Sequence, residues 1–269
     1  MLAAERHARI IEELERLRTV RVSHLVRLLG VSDMTVRRDL DALRRLGMLE
    51  KVHGGATLPQ EGSTDEPGFA EKSRRELAEK EAVAMRAAAL VEPGSAIAIS
   101  AGTTTHALAR QLTTVADLTV VTNSLWVATE LQAAGRQDVT VLLTGGMRTP
   151  SDALVGPLAI AALSTLHVDD VFMGVHGMDA TAGFTTPNLM EAETNRAMIR
   201  SARRLVVVSD STKWAVLGLS TIAPLSEAAV LVSDTRLSEE ARAVLREEVG
   251  ELVLAEPDPD REPSRSAFS

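Results

Sequence analysis

The sequence contains no cysteine and only 2% aromatic residues among its 269 positions. The absence of cysteine excludes disulfide bonds and thiolate metal sites. No apolar run reaches the roughly 18 residues that a membrane-spanning helix needs, and no apolar leader precedes the first charged residue, Glu5. We therefore expect a cytoplasmic protein without a signal peptide or a membrane segment.

Charge is distributed unevenly along the chain. The net charge is −8 at pH 7, which is unfavourable for binding DNA. Residues 1–55, however, hold 11 Lys and Arg against 8 Asp and Glu, a balance of +3, while the remaining residues hold 18 against 29, a balance of −11. This asymmetry predicts a basic nucleic-acid reader joined to an acidic body that does not touch DNA.

The stretch Val31–Leu40 has the layout of a DNA-recognition helix. Val36, Leu40 and Leu43 follow at i, i+4 and i+7, which predicts one apolar face, and Ser32 can cap the helix. The opposite face suits a DNA groove, because arginine pairs with guanine and threonine contacts a thymine methyl group or a phosphate. The DNA-binding candidates on this helix are Ser32, Met34, Thr35, Arg37 and Arg38.

The flanking segments favour a DNA-binding helix over the alternative, an amphipathic helix with an ordinary solvated face. Upstream, two helical patterns are separated by a short extended step, and Gly30 ends the second helix where a left-handed residue is favoured. The order helix, glycine turn, helix is that of a helix-turn-helix. Downstream, residues 48–58 predict a hairpin, a wing that places Lys51 and His53 near DNA phosphates.

Here the sequence resembles the winged helix-turn-helix of DeoR-type bacterial transcriptional regulators. The resemblance extends from Glu5 to Thr57. The matching residues are Arg6, Ile10, Val31, Ser32, Thr35 to Leu40, Leu43, Gly47 and His53 to Ala56. It implies that residues 1–58 form a DNA-binding domain whose partner is a double-stranded DNA operator.

The remaining sequence predicts a linker, an α/β domain and a tail. A polar stretch rich in glycine and proline forms the linker, residues 59–68, and a long connecting helix is predicted over Phe69–Val91. Strands are predicted at 95–100, 118–122, 139–144, 170–175, 205–209, 229–233 and 252–254. Helices alternate with these apolar strands, which predicts a Rossmann-like, mostly parallel sheet over residues 69–255. The polar tail, residues 256–269, is expected to be disordered.

Small, hydroxylated or charged residues follow five of these strands. Carboxyl ends of parallel strands share one edge of a sheet, where open α/β folds bind ligands. Gly102 and the threonines after it open a helix, where amides and hydroxyl groups can hold an anion and Lys213 can add a cation. The ligand-binding candidates are Gly102, Thr103, Thr104, Thr105, Thr122, Asn123, Ser124, Gly145, Gly146, Asp179, Glu193 and Lys213. The alternative is that these residues serve only as turn and cap residues.

The second half also resembles a known domain, the sensor domain of DeoR-type regulators, which is similar to ribose-5-phosphate isomerase. The matching positions are Gly102 to Thr104, Thr122 to Ser124, Gly145, Gly146, Gly156, Phe172 to Gly174, Gly183 to Thr185, Arg196 to Met198 and Asp210 to Lys213. The resemblance implies a phosphorylated sugar or related metabolite as effector and repression of carbohydrate metabolism genes. Because operators tend to mirror the symmetry of the proteins that read them, we also expect a homo-oligomer, either dimer or tetramer. One departure is Asn195, where the family usually has lysine.

The alternative function is an enzyme of the sugar-phosphate isomerase or deaminase kind with an accessory DNA-binding domain. Asp179, Glu191 and Glu193 could act as bases, but no spacing fixes a catalytic pair. Walker and Gly-x-Gly-x-x-Gly motifs are absent, so no cofactor is predicted, and without Gly-x-Ser-x-Gly no serine nucleophile is predicted either. The sequence therefore predicts an α/β regulator, a small winged helix-turn-helix followed by a Rossmann-like mostly parallel sensor domain, and not an enzyme.

Overall fold

The computed structural model describes residues 3–17, 19–45, 48–52, 54–57 and 68–258. The chain divides into two compact units, Met1–Gly62 and Ser63–Ser269. This division falls inside the predicted linker, of which only Gly68 is described. Of the predicted tail, only residues 256–258 are described. Within the described ranges, no helix combines the length and apolar character needed to cross a membrane.

The N-terminal unit has the helix order and small antiparallel sheet of a winged helix-turn-helix. Its elements are α1 (Ala3–Leu17), β1 (Thr19–Arg21), α2 (Val22–Leu29), α3 (Asp33–Arg45), β2 (Glu50–Val52) and β3 (Gly55–Thr57). Gly30 ends α2 in the left-handed conformation, with φ +65°, as expected. The strands pair antiparallel in the order β1–β3–β2, which confirms the predicted wing.

A buried carboxylate fixes α3 on α1. Asp39, 6% exposed, accepts hydrogen bonds from Arg6 Nε at 2.7 Å and Arg6 Nη2 at 3.0 Å, and His7 Nε2 lies 3.2 Å from it. The bond from Arg6, supported by that from His7, holds the pKa of Asp39 below its usual value although burial opposes this. Because Asp39 neighbours Arg38 in the helix, this cluster sets how the outward face of α3 is presented.

The C-terminal unit is built on seven parallel strands. Its helices are α4 (Phe69–Lys72), α5 (Leu77–Ala88), α6 (Thr103–Leu112), α7 (Leu125–Ala133), α8 (Pro157–Leu163), α9 (Leu189–Arg200) and α10 (Glu239–Glu248). Its strands are β4 (Ala96–Ile99), β5 (Thr119–Thr122), β6 (Thr140–Leu143), β7 (Met147–Arg148), β8 (Leu154–Val155), β9 (Val168–Gly174), β10 (Gly177–Asp179), β11 (Gly183–Thr186), β12 (Ala202–Val208), β13 (Ser220–Ala223), β14 (Ala228–Asp234) and β15 (Leu252–Ala255).

The seven strands follow the order β15–β14–β12–β9–β4–β5–β6, and every neighbouring pair is parallel. One apolar cluster joins α5, α6 and α7 to the sheet, and a second joins α8, α9 and α10 to it. Both faces are therefore covered, which explains the nearly continuous apolar character of the strands. The predicted Rossmann-like parallel sheet is confirmed.

The prediction of a single helix over Phe69–Val91 is wrong. The helix is interrupted after Lys72, and α5 begins only after Glu76, whose φ is +51°. Lys80 Nζ donates hydrogen bonds to the carbonyl of Lys72 at 2.7 Å and to that of Arg75. The lysine thus satisfies carbonyl groups that a continuous helix would have satisfied along its own backbone.

The sequence analysis also missed two small antiparallel arrangements, the sheet β10–β11–β13 and the pair β7–β8. These strands contain two to four residues each. Strands β10, β11 and β13 carry glycine, serine or threonine in place of an apolar run, and β7 and β8 have only two residues each, so periodicity gave no signal for any of them.

We predict that Asp39→Asn lowers the stability of the N-terminal unit by about 1.5–3 kcal/mol near neutral pH, because the buried bonds from Arg6 lose their charged acceptor. A carboxylate with a lowered folded pKa stabilises the fold above its unfolded pKa, about 3.9, and this contribution disappears as the pH falls through the folded pKa. The difference between wild type and variant should therefore shrink below pH 4.

Hydrogen exchange of the α1 and α3 amides in the full chain measures this difference. The control is Asp33→Asn, which breaks the exposed pair with Arg37 on the same helix and should cost less than about 1 kcal/mol. Equal losses in the two variants would contradict the role given to Asp39.

Candidate functional sites

The outward face of α3 carries the predicted DNA-contacting side chains. Met34 is 64% exposed, and Arg37 and Arg38 are exposed as well. Ser32 Oγ accepts a hydrogen bond from the Thr35 amide at 3.2 Å and lies 2.9 Å from Thr35 Oγ1. The capping role predicted for Ser32 is confirmed, whereas its contact with a phosphate stays a prediction.

Two predicted DNA-binding cations are already paired with carboxylates. Arg37 binds Asp33, one turn earlier in α3, and Lys51 Nζ on β2 lies 2.9 Å from Asp41 Oδ1. Both pairs are exposed, so exchanging their carboxylates for DNA groups costs little free energy. Arg38 has no ion-pair partner among the described residues, so its guanidinium can meet a base without such an exchange.

The last turn of α3 adds two cations that the sequence analysis did not select. Arg44 and Arg45 are exposed there, and their charges contribute, after that of Lys51, to a lowered pKa of Asp41. They extend the positive surface of the helix beyond Arg38. His53, the other wing candidate, lies outside the described residues.

In the second unit, the loops after β4 and β9 meet at the carboxyl edge of the parallel sheet. Gly102 precedes α6 and no side chain caps the helix, so its first amides, from Thr103 onward, are available to an anion. A Cβ on Gly102 would stand 3.0 Å from Thr105 Oγ1, and one on Gly174 would stand 3.9 Å from Gly102 Cα. The contact with Thr105 and the φ of +153° favour glycine at position 102, and the distance from Gly174 shows that the two loops lie against each other. Thr103 is half-buried and Thr104 is buried.

Four predicted ligand-binding residues have their polar atoms engaged inside the fold. Thr122 Oγ1 donates to a carbonyl of β4 at 2.7 Å, and Thr105 Oγ1 donates to the carbonyl of Gly102 at 2.9 Å. Asn123 accepts from an amide of the loop after β4 at 2.9 Å and donates to a carbonyl of β8 at 3.2 Å. Ser124 Oγ caps α7. Each of the four is at most 1% exposed, so they hold the loops in place.

The glycine pair after β6 has a conformational role. Gly145 and Gly146 have φ values of +71° and +122°, which side chains disfavour. A Cβ on Gly146 would lie 2.5 Å from the carbonyl oxygen of Val155. The pair lets the chain turn back so that β7 can join β8, and its contact with a ligand stays a prediction.

Two lysines bring positive charge to the carboxyl edge. Lys213 ends a short turn after β12, as expected, and Lys80 of α5 was missed. Burial lowers the pKa of Lys80 to about 8, while the charge of Asp210 opposes this shift and that of Lys213 adds to it. Lys80 precedes the buried Val83 and Ala84 at i+3 and i+4. A lysine in the apolar stripe of a helix was the signal that could have identified it.

A carboxylate surrounded by hydroxyl groups lies beside the turn between β7 and β8. Glu191, in the first turn of α9, accepts hydrogen bonds from Thr149 Oγ1 at 2.8 Å, Ser151 Oγ at 2.5 Å and Thr186 Oγ1 at 3.3 Å. A carboxylate held in this way can equally accept hydrogen bonds from the hydroxyl groups of a sugar. Sequence alone names Glu191 as a possible base but does not select it as a ligand-binding residue.

Asp179 and Glu193 have local partners. Asp179 Oδ1 accepts from the amides of Thr181 and Ala182, both at 2.8 Å, and closes the turn between β10 and β11. Glu193 is exposed and pairs with Arg196 at 2.8 Å. Their contacts with a ligand stay predictions.

Family models match both units. Residues 6–61 match the DeoR-like helix-turn-helix domain, and residues 75–235 match the DeoR C terminal sensor domain. The chain belongs to the DeoR family. This DeoR-family chain is 33% identical to the putative aga operon transcriptional repressor of Escherichia coli O157:H7, over 93% of both chains. It is 32% identical to the lactose phosphotransferase system repressor of Streptococcus mutans serotype c, over 87% of this chain and 93% of that protein.

The chain is thus a DNA-binding transcriptional regulator, and the enzyme alternative is set aside. Among solved structures, ribose 5 phosphate isomerase A from Neisseria gonorrhoeae aligns with 51% of this chain and 52% of its own, with a TM-score of 0.38 and 14% identity. The assignment of the fold rests on the strand order and not on this likeness.

We predict that Arg38→Ala weakens binding to the preferred operator by about 1–3 kcal/mol and relaxes specificity at one base pair, because a bidentate base contact is lost. The measurement is operator affinity over a set of single-base variants of a duplex selected by the wild-type chain. Arg9→Ala, an exposed charge of α1, is the matched control and should leave the base preference unchanged. Unaltered specificity in the Arg38 variant would show that another residue reads the base.

Proposed function

We propose that this DeoR-family regulator represses carbohydrate-utilisation genes and that a phosphorylated sugar releases it from DNA. The relatives named as repressors of the aga operon and of the lactose phosphotransferase system support the choice of a repressor and of carbohydrate genes. The observation that carries the effector class is the buried Lys80 beside Asp210 and Lys213, at the edge where α6 opens its amides.

On DNA, the exposed face of α3 enters the major groove. Arg38 and Thr35 contact bases there, and Met34 makes an apolar contact with a thymine methyl group. Arg37 also contacts a base once its ion pair with Asp33 is broken. Ser32, Lys51 and His53 bind phosphates, which adds affinity and orientation without reading the sequence.

The protein acts as a homo-oligomer, a dimer or a tetramer. A single winged helix-turn-helix reads one short half-site, and two copies related by symmetry read a repeated or palindromic operator. The support is the small size of the reading surface, which is confined to one 13-residue helix and a wing of two three-residue strands.

At the sheet edge, the anionic group of the ligand binds the first amides of α6 together with Lys80 and Lys213. The sugar hydroxyl groups bind near Glu191, in place of one or more of the side-chain hydroxyls that now donate to it. Asn195 stands on α9 where the family usually has a lysine, so α9 lacks that cation here. Lys80 supplies a cation from α5 instead.

We predict that Lys80→Met weakens binding of the effector sugar phosphate about 10- to 100-fold, because a hydrogen bond to a charged group contributes about 1.5–3 kcal/mol. The phosphate is a dianion above its second pKa of about 6. Lys80 loses its proton as the pH rises through about 8, so wild-type affinity should fall between pH 7 and 9. The variant should lack this dependence.

The test titrates the operator complex of the full chain with glucose 6-phosphate, fructose 6-phosphate, ribose 5-phosphate, inorganic phosphate and the unphosphorylated sugars. Arg86→Met, an exposed charge on the same helix, is the control and should respond as wild type. Release of DNA by an unphosphorylated sugar alone, or identical pH profiles for wild type and Lys80→Met, would contradict the proposed ligand class.

A further inference from the structure

The first described helix after the linker is held by an aromatic stack. The α4 helix has only four residues and no side-chain cap, too short to be stable on its own. Phe69 is nevertheless 7% exposed, because its ring stacks on Trp126 with centroids 4.8 Å apart and planes inclined by 11°. The edge of His106 completes the contact at 5.7 Å. The position of α4 therefore depends on the first turns of α6 and α7.

The stack is connected to the turn that carries the hydroxyl groups around Glu191. Trp126 Nε1 donates to Asp152 Oδ2 at 2.8 Å, and Asp152 is a strained residue with φ +59°. Two residues of the same turn, Thr149 and Ser151, donate to the carboxylate of Glu191. A rearrangement of the hydroxyl groups around Glu191 would therefore shift the residue that holds the indole ring.

Further contacts tie α4 and the turn after it to the same edge of the sheet. A Cβ on Gly68 would stand 3.7 Å from the carbonyl oxygen of Pro150, so α4 begins against the turn just described. At the other end, Lys80 holds the carbonyl groups of residues 72 and 75. Glu76 and Glu79 both pair with Arg236, which follows β14. The segment 68–80 thus spans from the turn between β7 and β8 to the loop after β14.

We propose that residues 68–80 form a strap that couples occupation of the sheet-edge site to the linker of the DNA-binding unit. The proposal rests on the proposed function, since the ligand is the group that changes the contacts of Glu191 and Lys80. One end of the strap responds to the hydroxyl-binding side of the site and the other to its anion-binding side. Phe69 and Trp126 act as positioning residues, and a ligand changes DNA affinity only as far as it favours one strap position.

The first experiment needs no ligand. Trp126→Phe keeps an aromatic ring beside Phe69 but removes the indole N–H that binds Asp152, together with part of the stacked surface. We expect amide exchange of Lys72 and Ser73 in the full chain to accelerate about 10-fold, since α4 loses its hold on the turn. Arg136→Ala, which breaks the ion pair with Asp138 before β6, is the control and should leave these amides unchanged. Unchanged exchange in Trp126→Phe would overturn the strap.

The second experiment measures the coupling directly. Ligand affinity is measured by calorimetry, and operator affinity with and without saturating ligand, for wild type, Phe69→Ala and Phe69→Tyr. The probes are fructose 6-phosphate, ribose 5-phosphate and inorganic phosphate. Wild type should show a 5- to 150-fold change of operator affinity, roughly the usual range of allosteric coupling. Phe69→Ala should bind the probe but lose most of this change, and Phe69→Tyr should restore it.

The outcomes separate the strap from the ligand class. Probe binding with full coupling in Phe69→Ala overturns the strap while the proposed function stands. If no probe binds the wild-type protein, the proposed effector class fails. Amide hydrogen exchange in Trp126→Phe then decides by itself whether the turn that carries Thr149 and Ser151 is linked to the strap.

Discussion

The parallel direction of seven neighbouring strands is the constraint on which the C-terminal unit depends. Every connection between parallel neighbours must cross a face of the sheet, so the helices cover both faces and the strands become apolar. The same direction brings the ends of β4, β9, β12 and β14 to one edge. Residues far apart in the sequence, such as Gly102, Gly174 and Asp210, therefore share a small region without any local sequence relation.

Most polar groups at this edge are used to hold the loops. Asp234 is fully buried and accepts from the amides of Ser211 at 2.6 Å and Arg236 at 2.9 Å. Asn123 bridges the loop after β4 and strand β8 in the same way. Buried acceptors and donors that are fully satisfied favour one loop arrangement, since each alternative leaves a polar group unpaired. The proposed ligand contacts are therefore few: the first amides of α6, Lys213, and Lys80 and Glu191, which would exchange their present partners for the ligand.

How much of this structure can be predicted from the sequence depends on whether the deciding interactions join residues close together or far apart in the chain. The recognition helix and the parallel strands were predicted because apolar periodicity and glycine positions are local signals. The break at Glu76 was missed because the side chain of Lys80, which satisfies the turn, acts across the helix boundary. The short strands of the antiparallel sheet carry no apolar run, so only their tertiary pairing reveals them.

The candidate ligand site shows even more clearly that local sequence signals do not reveal tertiary interactions. Sequence position placed Thr122, Asn123 and Ser124 at a strand end, but whether such a side chain faces a ligand or the scaffold is decided by its partners. Lys80 lies twenty residues before the first predicted loop, and only the fold brings its charge beside Asp210. Residue types at strand ends predict where a site lies, whereas burial and hydrogen bonds decide which residues can form it.

On the DNA side, the pairs Arg37–Asp33 and Lys51–Asp41 have a consequence for selectivity. Each carboxylate neutralises a neighbouring cation in the absence of DNA, so the reading face presents less positive charge than its arginines and Lys51 alone suggest. The acidic remainder of the chain, with its balance of −11, acts in the same direction. We therefore expect a low affinity for arbitrary DNA and a larger share of the operator affinity from base contacts such as the one predicted for Arg38. Under the proposed function, a modest coupling to ligand is then enough to release the protein from its operator, because non-specific attraction contributes little to the complex.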